Sequence, residues 1–232
     1  MMKTIGMLGG MSWESTVSYY RALNEGVKMA LGGLHSAKII LYSVDFDKIE
    51  RLQHQGDWAA TADILVQAAR AVERAGADGL IICTNTMHKV ADRIECALSI
   101  PLLHIADATA RQLVADGVRR VGLLGTRFTM EQAFYRARLE QRFGIEVLVP
   151  EMSDRERVHQ IIYTELCLGQ IHEASRREYL RIIADLQRAG AEAVILGCTE
   201  IALLVQPEQT EVPLYDTTAI HAADAVNFLL TD

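Results

Sequence analysis

Ile5-Gly6-Met7-Leu8-Gly9-Gly10 and Val121-Gly122-Leu123-Leu124-Gly125-Thr126 are two forms of one segment, 116 positions apart. A second pair, Arg74-Ala75-Gly76-Ala77-Asp78 and Arg188-Ala189-Gly190-Ala191-Glu192, stands 114 positions apart. Two separate segments that agree on nearly one spacing point to a duplicated unit. Outward from them, apolar runs at Thr4–Leu8, Ala37–Val44, Gly79–Cys83 and Pro101–Ile105 alternate with helical spacing over Ser12–Ala30, Trp58–Ala75 and Met87–Leu98. The second half repeats the alternation. Strands are predicted at Val121–Leu124, Glu146–Val149, Ala193–Leu196 and Pro213–Tyr215. Helices are predicted over Ala108–Ala115, Met130–Phe143, Arg155–Leu168 and Arg176–Ala189, from Glu200 and from Ala219. Strands apolar on both faces and separated by helices make parallel sheets covered by helices. The fold class is therefore α/β, with two pseudo-symmetric lobes, 1–103 and 104–218. The closing helix, 219–232, is free to pack back on the first lobe. No Pro/Gly/Ser-rich linker separates the lobes, so they are expected to close over a cleft.

Composition narrows the function. Half of the 232 residues are hydrophobic, 23% are charged and the net charge is −7. That is the balance of a globular chain, not of a disordered or fibrous one. The acidic balance disfavours nucleic acid and membrane surfaces as partners. No apolar run approaches the 18 or so residues of a membrane span. The N-terminus, Met1-Met2-Lys3-Thr4-Ile5-Gly6, has no apolar leader, so a cytoplasmic location is expected. Cys83, Cys96, Cys167 and Cys198 read as reduced thiols. No pair has C-x-x-C spacing and no cluster has zinc spacing, so no metal is expected.

The duplication also makes a chemical statement. At the 114 offset, Ile81-Ile82-Cys83-Thr84-Asn85-Thr86 falls on Ile195-Leu196-Gly197-Cys198-Thr199-Glu200. Cys198 thus corresponds to Thr84, not to Cys83. Both positions end a strand and precede a helix, the edge at which open parallel sheets bind ligands. A helix start there offers free N–H groups to a carboxylate and favours a thiolate. Side chains alternate along a strand, so Cys83 is expected to face the lobe interior if Thr84 faces the site. Cys96 and Cys167 lie in helical patterns. Gly6-Met7-Leu8-Gly9-Gly10 lacks the order of a nucleotide loop and reads as a tight turn that lets the backbone approach a small ligand. His88 and His221 lie near strand ends, where each either orients a site residue or is a plain helix-terminus residue.

Met7-Leu8-Gly9-Gly10-Met11-Ser12, Asn85-Thr86-Met87-His88 and Ile195-Leu196-Gly197-Cys198-Thr199-Glu200 resemble the three motifs of the aspartate/glutamate racemase family. The resemblance covers essentially the whole chain, and Glu200, where glutamate racemases have His, favours the aspartate branch. It implies a cofactor-independent amino-acid racemase with its site between two α/β lobes and one acid/base group from each. It further implies a small amino-acid substrate and a homodimer. Thr84 and Cys198 then stand at the two catalytic positions. Met11, Gln53, Asn85, Thr86, Thr126, Thr199 and Glu200 are the expected substrate-binding residues, with Asn85 and the threonines holding the α-carboxylate. Racemisation removes the α-proton from one face and returns one to the other, so a duplicated lobe suits it.

Three departures from the family pattern bear on activity. The family usually has Cys where this chain has Thr84, and a hydroxyl is a far weaker base than a thiolate. Cys167 stands where a lysine often holds the substrate's side-chain carboxylate. Ile49 falls where an arginine is common, with Lys48, Arg51 and Gln53 beside it. The expected activity is therefore asymmetric, and the family resemblance implies a preference for the L enantiomer. Two alternatives remain at this point: a single-cysteine decarboxylase or cis–trans isomerase of small dicarboxylates, and a non-catalytic amino-acid-binding protein.

Overall fold

A computed structural model describes residues 2–231. In chain order its elements are β1 (Ile5–Gly9), α1 (Trp13–Leu31), β2 (Ile39–Ser43), α2 (Phe46–Gln55), α3 (Trp58–Arg74) and β3 (Gly79–Ile82). A 3₁₀ helix over Thr86–Val90 leads into α4 (Ala91–Glu95) and α5 (Ile105–Ala115). Then follow β4 (Arg120–Gly125), α6 (Arg127–Glu131), α7 (Ala133–Phe143), β5 (Glu146–Leu148), α8 (Met152–Thr164) and a 3₁₀ turn at Leu166–Leu168. The chain ends with α9 (Glu173–Arg188), β6 (Ala193–Gly197), α10 (Ile201–Leu204), a 3₁₀ turn at Pro207–Gln209, β7 (Leu214–Asp216) and α11 (Thr217–Leu230). The strands form two all-parallel sheets, ordered β2-β1-β3 and β5-β4-β6-β7. By contacts the chain divides into two units. One runs to Ile105 and takes in the chain again from His221; the other is Ala106–Ile220.

The duplicated segments recur because the two sheets have the same packing needs. Gly6 on β1 lies under Val72 of α3, and Gly122 on β4 lies under Leu186 of α9. A side chain at either glycine would collide with the covering helix. Gly76 and Gly190, just past the ends of α3 and α9, have φ of 99° and 101°, a left-handed region that favours glycine. The acid two residues on then caps the neighbouring strand: Asp78 accepts the Thr4 N–H at 2.6 Å, and Glu192 accepts those of Arg119 and Arg120 at 2.7 and 3.0 Å. The register repeats as well. Leu8 pairs with Ile82 and Leu124 with Leu196, so the two sequence offsets are one structural alignment.

In the first unit, period-two alternation sends each β residue to one of two cores. Leu8, Leu80 and Ile82 pack with Ala62, Leu65, Ala69 and Val72 of α3 on one face. Ile5, Met7, Ile81 and Cys83 pack with Tyr19, Leu23 and Val27 of α1 and with Ala222, Ala225 and Leu229 of α11 on the other. Each such buried aliphatic side chain contributes roughly 1.5–3 kcal/mol from the area removed from water. In the second unit Val158, Ile161 and Ile162 of α8 and Tyr179, Ile182, Ile183 and Leu186 of α9 are buried. Tyr179 donates to the Val158 carbonyl at 3.1 Å, which ties α9 to α8.

Several sequence expectations need correction. Pro101–Ile105 is no strand: only a single bridge, Leu80 to Leu102, forms there. Met87–Leu98 is not one helix. Its first turn is 3₁₀ because the His88 ring occupies the Thr84 carbonyl at 2.8 Å, and the His88 N–H turns to Asn85 O at 3.0 Å. The helix α2 is additional; only Ile49 and Gln53 of its residues are buried, too few to show a periodic stripe. The glycines after β1 are also required by packing within the protein. A side chain on Gly9 would strike Thr16, one on Gly10 would strike Val44, and the Gly10 N–H is already bonded to Thr16 Oγ1 at 2.8 Å.

Candidate active site

In the first unit Met11, Thr84, Asn85 and Thr86 follow the ends of β1 and β3. Cys83 N–H bonds to Leu8 O at 2.9 Å, and this is the last rung of the ladder. Cys83 is fully buried in the α1/α11 core, and Thr84 beyond it is half-buried. Among the described residues the Thr84 hydroxyl has no hydrogen-bond partner. Asn85 and Thr86, both buried, open the 3₁₀ helix. Met11 follows β1 into the same apolar cluster as Ile49. Gln53 is buried in the last turn of α2. Ile49, at the family's arginine position, is thus core and offers no charge. Lys48 beside it lines a cavity of about 220 Å³ with Tyr42, Ser43, Asp45 and Gln67.

The second unit assembles the equivalent edge around β4 and β6. Gly125 and Gly197 are register partners whose backbones nearly touch, so Thr126 and Cys198 follow side by side. Thr126 caps α6: its hydroxyl accepts the Thr129 N–H at 3.3 Å. The Cys198 thiol donates to Glu200 Oε2 at 2.9 Å, and the Thr199 hydroxyl donates to the same oxygen at 2.6 Å. Glu200, which the sequence places among the substrate-binding residues, holds the thiol. On the next strand Asp216 caps α11 through the N–H groups of Thr218 and Ala219 at 2.8 and 3.3 Å, and Thr217 donates to Leu196 O at 2.9 Å. Burial outweighs these bonds and raises the Asp216 carboxyl above its usual value. Among the described residues no group of three or more His, Cys, Asp or Glu side chains is placed to hold a metal ion. None of their helices is long and apolar enough to cross a membrane.

Burial, then the Glu200 charge, hold the Cys198 thiol well above its ordinary range. The resting group is therefore a thiol. Replacing Glu200 with Gln removes that negative charge. The pH midpoint for alkylation of Cys198, followed on its own peptide, is then expected to move down; an unchanged midpoint would show that burial alone sets it.

Cys83 is raised by burial alone. Below about pH 8.5, the pKa of a free thiol, both folded and unfolded states keep the proton and nothing changes. Above it only the unfolded state ionises, so stability falls by up to about 1.4 kcal/mol per pH unit for each such thiol. Urea melts of the wild type and Cys83→Ala between pH 8 and 10 should show a shallower fall in the variant. Parallel curves would refute the assignment.

The scaffold is a doubled parallel α/β fold that carries a thiol bonded to a carboxylate at the end of a central strand. The sequence profile of the Asp/Glu/hydantoin racemase family matches residues 8–225, and the chain belongs to that family. The crystal structure of a candidate Asp/Glu racemase from Yersinia pestis is 58% identical, with a TM-score of 0.93 over 99% of this chain and 100% of that one. An aspartate racemase homologue from Pyrococcus horikoshii is 34% identical, with a TM-score of 0.86 over 99% and 100%. Among curated proteins, the broad specificity amino-acid racemase RacX of Bacillus subtilis is 26% identical over 72% of this chain and 71% of its own.

Proposed function

We propose that this chain is a cofactor-independent racemase of aspartate and/or glutamate, with Cys198 as the strong acid/base group and Thr84 as the weak one. The observation that carries the reading is the contact of the Cys198 thiol with Glu200 at 2.9 Å. Glu200 takes the thiol proton, and the thiolate removes the α-proton from one face of the substrate. The Thr84 hydroxyl gives its proton to the other face, and the resulting alkoxide regains one from water, which its half-exposed position permits. Cys198 keeps the substrate's proton as a thiol, and Glu200 releases its own to the hydroxide, which restores the resting state. Hydrogen bonds from Asn85, Thr86, Thr126 and Thr199 to the α-carboxylate stabilise the carbanionic state between the two transfers. In the reverse direction Thr84 has to act as base, which it does poorly, so the two directions differ. Family resemblance favours L as the better substrate.

The test is α-proton exchange in deuterated water with each enantiomer of aspartate and glutamate, followed by NMR and chiral chromatography. Exchange with inversion supports the proposal. Release of carbon dioxide would make the chain a decarboxylase, and binding with neither would make it a non-catalytic amino-acid-binding protein.

A further inference from the structure

Three buried imidazoles, His88, His104 and His221, lie in the first unit, and the reaction just proposed uses none of them. Two of them have their tautomer dictated by their partners. Nε2 of His88 receives the Ile105 N–H at 3.3 Å and must offer a lone pair. Its Nδ1 lies 2.8 Å from the Thr84 carbonyl, which only accepts, and must carry the proton. A single neutral tautomer satisfies both contacts; the imidazolium would set its Nε2–H against the Ile105 N–H. His221 is fixed in the opposite tautomer, donating from Nε2 to Leu103 O at 2.8 Å while Nδ1 faces the Tyr19 hydroxyl at 2.8 Å. The run Leu103-His104-Ile105 is thereby held from both ends, with the His104 ring 4.5 Å from that of His88.

We infer that His88 is the positioning residue for Thr84: its neutral ring ties the Thr84 carbonyl to the start of α5 and so fixes where the Thr84 hydroxyl points. The inference rests on the reading of Thr84 as the second acid/base group. Thr84 lies just past the last ladder bond, so sheet pairing does not hold its backbone. The i→i+4 amide that would bind its carbonyl in an α-helix goes to Asn85 instead. The ring is the tether that remains. A weak proton donor needs such placement more than a strong one, because misplacement by about 1 Å costs as much as ~10²-fold in rate.

The test compares exchange with inversion. In His88→Gln the amide can still meet Ile105, but nothing donates to Thr84 O. Deuterium exchange at the Cys198 face should stay within about twofold while inversion falls about tenfold or more. His88→Asn places a donor where Nδ1 was and should restore inversion to within about threefold. Equal losses of exchange and inversion in both variants would overturn the inference, since general damage lowers both together. Independently of any variant, ¹⁵N NMR of the wild-type protein at neutral pH should find His88 protonated at Nδ1 and bare at Nε2; the other tautomer, or an imidazolium, would also overturn it. A wild-type protein that neither exchanges nor inverts would refute the proposed racemase, while the ¹⁵N spectrum would still decide the contact between His88 and Thr84.

Discussion

Cys198→Ser should lower racemisation by about 10²–10⁴-fold, the range that a positioned acid/base group typically contributes. The fold should survive, since the oxygen takes the place of sulfur and can still donate to Glu200. Exchange of the α-proton in deuterated water should fall with turnover, because no comparable base stands at the equivalent position of the other sheet. Cys96→Ser, at an exposed position, is the control and should leave turnover within about twofold. Near-normal rates in Cys198→Ser, with native melting, would refute the mechanism.

Thr84→Cys should act in the opposite sense. It places a thiol at both duplicated positions and should raise turnover of the poorer enantiomer by on the order of 10²-fold. The enantiomers have equal free energy in water, so kcat/KM must rise by the same factor in both directions. The kcat values, unequal in the natural protein, should converge. Cys83 stands next in sequence but lies in the α1/α11 core, so its thiol cannot replace the missing one. Equal kcat and KM for both enantiomers in the natural protein, or no gain from Thr84→Cys, would rule Thr84 out as the second group.

What could be read from sequence was whatever depends on local packing. The glycines at 6 and 122 and the caps at 76–78 and 190–192 each answer a short-range need, so the duplicated sheets and their register were legible. From that register alone, Cys198 paired with Thr84 and Cys83 turned inward. Features set by distant partners were not legible. The stretch after Pro101 has the composition of a strand, and it does exchange two bonds with Leu80. The next groups in line, Leu103 O and Ile105 N–H, are taken by the rings of His221 and His88, so the ladder stops. The part played by His88 depends on an amide 17 positions away, and no spacing rule reports it. Glu200 is expected from sequence as a site residue, but its bond to the thiol emerged only from the geometry.

The return of α11 to the first unit has a consequence for biogenesis. Tyr19, Leu23 and Ile81 share their core with Ala222, Ala225 and Leu229, and Lys3 N–H bonds to Leu229 O. On the ribosome the N-terminal half therefore waits, with one sheet face covered by α1 alone, until residues 222–229 have been made. The second unit is continuous, from Ala106 to Ile220, and needs no such distant segment. Domains generally fold in the order in which they are synthesised. Here the half made second is the first that can be completed, and the half made first is the one exposed to aggregation while it waits.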